Sequence, residues 1–166
     1  MPWGTLHHWG NTVAKLVFNG HTHQITLVGD TGDTLGTWIA YNNVDRHATL
    51  THIRNGSYSV TDRRLPHRHT PDANGSYGLH GIVRFAVPGH PGIGVHSGQA
   101  AARHVPGPAH ATMGCIRTSD EAMQAISAAM NRNPLTTVEV IENSAPSARA
   151  ASQRHRHRRL QGRHHG

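Results

Sequence analysis

The sequence predicts a mainly β domain with one principal α-helix. Apolar residues alternate in short runs separated by Gly, Asn, Asp and Pro over the first two-thirds of the chain, the pattern of strands joined by turns. A single stretch, residues 118–134, has apolar residues at helical spacing between a start and a stop signal. The length of 166 residues suits one core that buries roughly two-thirds of the unfolded surface. The one cysteine excludes an internal disulfide, and a core of this size needs none.

Residues 1–12 form an N-terminal extension with neither the basic start nor the apolar run of a secretory signal. Val13–Phe18, the turn Asn19-Gly20 and His21–Val28 read as a β-hairpin, because Asn-Gly is the strongest short hairpin signal. Gly29–Asp33 then turns the chain into Thr34–Tyr41, which completes a three-stranded meander. Further strands are expected at Ser57–Thr61, Gly81–Val87, Ile93–His96 and Thr137–Ile141. Leu65–Ser76, rich in His, Pro, Asn and Gly, reads as a long surface loop able to roof a site. The helix opens on Thr118-Ser119-Asp120-Glu121, which has capping-box spacing. Its apolar stripe is Ala122, Met123, Ile126, Ala129 and Met130, and it stops at Asn131-Arg132-Asn133-Pro134.

The chemistry concentrates at Cys115, in Thr112-Met113-Gly114-Cys115-Ile116-Arg117, with His96 upstream in Gly94-Val95-His96-Ser97-Gly98. A thiol is a strong nucleophile as thiolate, and a neighbouring imidazole is the usual means of generating one. Gly114 permits a tight turn that brings backbone N–H groups to the sulfur. A cysteine in the turn before the helix would also meet the positive end of the helix dipole, which lowers a thiol pKa. Against this, a lone cysteine is most often a small buried hydrophobe, and seventeen histidines guarantee some histidine upstream of it. Papain-like chemistry fits poorly, since there the cysteine precedes its histidine.

The arrangement resembles the signature of the L,D-transpeptidases, cysteine enzymes of bacterial peptidoglycan: His, fourteen to seventeen residues, Ser or Thr, His, Gly, Cys. Fifteen residues separate His96 from Thr112, and Gly114, Cys115, Ile116 and Arg117 also agree. Met113 stands at the second histidine, and a thioether carries no proton and donates no hydrogen bond. The resemblance implies a mixed β-sandwich catalytic domain over residues 13–143 and acyl transfer on peptidoglycan stem peptides, with no cofactor. Cys115 would be the nucleophile and His96 the base, oriented by the backbone carbonyl of Ser97. The N–H groups of Gly114 and Cys115 would hold the oxyanion. Thr112, Met113 and His110 would line the substrate cleft, with His110 or His104 substituting for the missing histidine. Arg117 would either hold a substrate carboxylate or serve the structure, and His80 would either line the cleft or be structural. Asn55–Arg63 resembles a segment of the branch that includes type VI secretion effectors, which implies an immunity protein as partner.

The charge of +7 belongs to the end of the chain. Residues 144–166 hold six arginines, four histidines and no acid, which leaves ten basic residues against nine acidic ones in the body. This tail reads as disordered, with polyanions as its candidate partner. No apolar run approaches the length of a membrane span. A peptidoglycan enzyme acts in the periplasm or cell wall, so this chain would travel by a non-classical route or represent a mature form. The pairs His21/His23 and His67/His69 lack a third ligand at recognised spacing, and no metal site is expected. The alternative function is a weak or silent wall-binding or polyanion-binding protein that uses the tail.

Overall fold

Alternating burial along each strand puts Leu16 and Phe18 of β1 (Ala14–Asn19), Ile25 and Leu27 of β2 (Gln24–Val28) and Val138 and Val140 of β8 (Leu135–Ile141) into one core. The computed structural model describes residues 13–144. The extension at 1–12 and the basic tail beyond Ser144 lie outside the described residues. Between these strands come β3 (Thr34–Tyr41), β4 (Gly56–Ser59), β5 (Val83–Arg84), β6 (Gly94–His96), β7 (Ile116–Thr118) and the helix α1 (Asp120–Arg132).

The strands form one mixed, curled sheet of eight in the order β4-β8-β1-β2-β3-β7-β6-β5. β1, β2 and β3 are the antiparallel meander, β8 pairs parallel with β1, and β6 pairs parallel with β7. The curl brings the two outer strands together, since Thr61 N–H donates to Arg84 O at 2.8 Å and Ala86 N–H to Ser59 O at 2.9 Å. That contact covers edges that would otherwise present unpaired backbone. Asp62 closes the same seam by accepting from Arg84 N, Nε and Nη2, each at 2.9 Å. Burial pushes its carboxyl up, but the hydrogen bonds and charge of Arg84 outweigh this and hold it below the ordinary value. The Asp-Arg segment after β4 therefore has a folding role of its own.

Several sequence expectations change. The first hairpin turns through the four residues between the paired Asn19 and Gln24, so His21–His23 are not strand. Asn19 Oδ1 accepts from the N–H groups of His21 and Thr22, and His23 takes a positive φ of 55°, a side-chain-capped turn in place of the two-residue one. Within the expected strand 81–87 only Val83 and Arg84 form strand, flanked by isolated bridges at Ile82 and Phe85. The N-cap of α1 is Ser119, whose hydroxyl accepts from Ala122 N–H, one residue beyond the expected Thr118. Thr118 belongs to β7, and its hydroxyl donates to Ile39 O on β3. The buried stripe of α1, Ala122, Met123, Ile126, Ala129 and Met130, is the one its spacing predicts. No helix among the described residues is long and apolar enough to cross a membrane.

Phe18 is fully enclosed at the centre of this core. Phe18→Ala is expected to cost about 3–5 kcal/mol in urea unfolding. Leu35→Ala, at an exposed position, should stay within about 0.5 kcal/mol.

Candidate active site

Two parallel strands build the site. Val95 stands opposite Ile116 and His96 opposite Arg117, so Cys115, just before β7, stands level with Gly94. Side chains alternate along a strand, which places Cys115, Arg117 and His96 on one face, with Cys115 and His96 as diagonal neighbours. Strand spacing and rise per residue put their Cα atoms about 8 Å apart, within reach of two facing side chains. All three line a cleft of about 280 Å³ together with Asp45, Ser76, Tyr77, Gln99, His110, Ala111, Thr112 and Met113.

The imidazole is held rigidly. His96 is 3% exposed, and its Nδ1 lies 2.7 Å from the carbonyl oxygen of Ser97. A carbonyl only accepts, so Nδ1 carries the proton of the neutral ring and Nε2 is left as the basic atom. Tyr77 leans on the ring with centroids 4.9 Å apart at 57°, and His69 stacks on Tyr77 at 3.8 Å. Burial, followed by the charges of Arg117 and His69, outweighs the Ser97 hydrogen bond and lowers the His96 pKa to about 4.

The turn before β7 is equally constrained. Thr112 Oγ1 accepts from Gly114 N–H at 3.1 Å and donates to Cys115 O at 2.7 Å. Asn42 Nδ2 donates to the carbonyls of Gly114 and Cys115, while its Oδ1 accepts from Ile53 N–H and from Asn143 Nδ2. Gly114 has φ +137°, a conformation that favours glycine, and a Cβ there would also have to displace the end of the Ile93 side chain, 2.7 Å away. Cys115 is half-buried, with Sγ 3.8 Å from Gly92 O. Burial raises its thiol pKa against a backbone hydrogen bond from Gly94 and the charge of Arg117.

No protein-family model matches the sequence, and no curated relative does. Solved structures do match. Mycobacterium tuberculosis L,D-transpeptidase 1 is 20% identical, with a TM-score of 0.50 over 78% of this chain and 62% of that one. An L,D-transpeptidase from Xylanimonas cellulosilytica is 17% identical, with a TM-score of 0.50 over 77% and 60%. Bd1075 from Bdellovibrio bacteriovorus is 14% identical, with a TM-score of 0.56 over 90% and 55%. The fold is that of the L,D-transpeptidases. The chain spans about three-fifths of the length of these relatives.

On that L,D-transpeptidase fold, not every predicted residue reaches the site in its expected form. Cys115 is not next to the helix: β7 and Ser119 stand between them, and burial moves the thiol pKa up where proximity to the helix dipole was expected to move it down. The Gly114 N–H is engaged by Thr112 and is not free for an oxyanion. Arg117 is 3% exposed and donates from Nη1 to His110 O and Ala111 O and from Nη2 to Ser76 O, so its fork clamps two loops against the cleft. His110 lines the cleft with Nδ1 2.7 Å from Val105 O. His104 and His80 do not line it. Met113 stands at the rim, 63% exposed. Tyr77, Asp45, Gln99 and Asn42 escaped the sequence reading, although Asn74-Gly75-Ser76-Tyr77-Gly78 repeats the Asn-Gly-Ser-Tyr of residues 55–58, a signal for the first of them. His67 and His69 stand edge to face at 5.6 Å, and no cluster of metal-ligating side chains forms among the described residues.

A buried thiol beside a neutral imidazole fixes the pH response of the single cysteine. Alkylation by iodoacetamide is expected to keep climbing from pH 7 through pH 9, as free thiolate adds to the imidazole-assisted reaction, because thiolate is scarce below a raised pKa. A rate plateau beginning below pH 7 would instead reveal a preformed thiolate–imidazolium pair.

Proposed function

We propose that the protein is a cysteine acyl-transfer enzyme acting on peptidoglycan stem peptides, in the manner of the L,D-transpeptidases whose fold it shares. The observation that carries the reading is the shared wall of Cys115 and His96, with Nδ1 committed to Ser97 and Nε2 left as base.

Cys115 Sγ attacks the carbonyl carbon of an L-centre joined to a D-residue, and the thiol proton passes to His96 Nε2. The resulting oxyanion takes the N–H of Cys115, because that of Gly114 is engaged. The C–N bond then breaks, His96 returns its proton to the departing amine, and a thioester remains on Cys115. A second amine gives cross-linking or exchange, and water gives carboxypeptidase hydrolysis; both share the acyl-enzyme. With both groups neutral at pH 7, proton transfer accompanies attack. Met113 supplies no donor where the family has a histidine, a loss of about 10²–10³ in turnover if that histidine serves the oxyanion.

Tetrapeptide muropeptides followed by mass spectrometry test this reading. The wild type should yield cross-linked dimers, released D-amino acid or exchanged products, and Cys115→Ala or His96→Ala should lower the rate by at least about 10³-fold. The rate should fall in acid as His96 takes its proton near pH 4 and rise into the alkaline range with the thiolate. A wild type that leaves muropeptides unchanged would overturn the proposal and favour a silent wall-binding protein.

Action in the periplasm or cell wall follows from the proposed substrate. Delivery there as an antibacterial effector with a cognate immunity protein rests on the likeness of residues 55–63 alone. Directed to the periplasm of a test bacterium, the wild type should lyse cells and Cys115→Ala should not. Should deletion of the residues after Asn143 abolish the protein's effect on the wall while Cys115→Ala spares it, the polyanion-binding tail would be the functional part.

A further inference from the structure

Asp120, the first residue of α1, lies outside the cleft lining yet bonds to Ser97, the residue that follows His96. Its Oδ1 accepts from the Ser97 hydroxyl at 2.5 Å and from Leu79 N–H at 3.1 Å. Ser97 is buried, and its carbonyl is the one that holds His96 Nδ1. Gly78, at φ +74°, presses on this pair so closely that a Cβ would lie 2.0 Å from Ser97 Oγ and 2.7 Å from Asp120 Oδ1. No water or side chain fits between the chain and the bond. The second acceptor contact, to Leu79, ties down the chain two residues after Tyr77, whose ring leans on His96.

We infer that Asp120 is a positioning residue for the base, fixing the His96 imidazole from two sides through the Ser97 hydroxyl and through the Tyr77–Leu79 segment. The placement also sets the distance to the nucleophile. Only β7 and Ser119 separate Cys115 from Asp120, so the strand that presents the sulfur continues into the helix that anchors the base's support. Sulfur and imidazole are thereby referenced to one continuous segment, residues 115–120. Apart from the Ser97 carbonyl, the groups that touch the His96 ring or act on its charge are Tyr77, Arg117 from β7 and His69. None of these bonds to Ser97 Oγ. The inference rests on the reading of His96 and Cys115 as base and nucleophile.

Alkylation of Cys115 by iodoacetamide across pH tests it without any assumed substrate; the sulfur–carbon bond forms, iodide leaves and the thiol proton goes to the imidazole or solvent. Asp120→Ala and Ser97→Ala should each slow alkylation at pH 7 by about tenfold to a hundredfold, the scale of a small misplacement. Each profile should move towards that of His96→Ala, and the double variant should be no slower than either single one. Asp120→Asn, which keeps an acceptor oxygen, should retain most of the wild-type rate. On muropeptides the alanine variants should lose kcat with little change in KM. A folded Ser97→Ala whose profile superimposes on the wild type would overturn the inference, and so would a double variant slowed by the product of the two single effects. If Asp120→Ala fails to fold, Ser97→Ala decides. Failure of the underlying reading looks different: His96→Ala itself would then leave alkylation unchanged.

Discussion

The parallel pairing of β6 with β7 is the constraint on which the site depends. In a strand, neighbours face opposite ways, so a slip of one residue between Val95–His96 and Ile116–Arg117 would send the sulfur and the imidazole to different sides of the sheet. The register is secured because both strands are buried along their whole length, so a slip would bury the polar groups of His96, Arg117 and Thr118 away from their present partners. Arg117 adds a lock. Its guanidinium gathers the carbonyls of Ser76, His110 and Ala111, so the two loops that wall the cleft are tied to the strand that follows Cys115.

Burial has an electrostatic consequence. Taking the imidazole and the thiol out of water disfavours the imidazolium and the thiolate alike, and it is the largest influence on each. The Arg117 charge works in opposite senses on the two, favouring the thiolate and opposing the imidazolium. The balance leaves a neutral pair in which the single hydrogen bond from Nδ1 to Ser97 fixes the tautomer. Such a site does not store a reactive anion. That absence protects the half-buried thiol from adventitious oxidation and alkylation.

The meander, the helix stripe and the position of β8 were legible in the sequence because each is written in local periodicity, with Leu16 and Phe18 alternating against their neighbours and Ile126 and Met130 one turn apart. β7 was not. Three residues, one of them a buried arginine, give no alternation to detect, and a strand held only by long-range pairing leaves its mark on the partner strands. Missing it displaced the helix cap by one residue and brought the cysteine to the helix end. The hairpin turn went astray for a related reason: Asn-Gly suits a two-residue turn, but Asn19 spends its side chain on His21 and Thr22 and stretches the loop to four. Cys115 and His96 were legible from types and spacing. Asn42, Tyr77 and Asp120 act from separate parts of the chain, and only the folded register brings them to the signature.

The same register explains why Met113 is compatible with this fold. Gly114 and Thr112 are enclosed, and their contacts dictate the turn, whereas the side chain between them projects into solvent at the rim. Nothing in the packing distinguishes methionine from histidine there, so Met113 leaves the placement of Cys115 unaffected and puts no proton-bearing group at the mouth. With the Gly114 N–H turned to Thr112, the proposed oxyanion has the Cys115 N–H as its backbone donor. On the proposed mechanism this combination keeps the elements of nucleophilic attack and lacks part of the provision for stabilising charge, which predicts slow turnover.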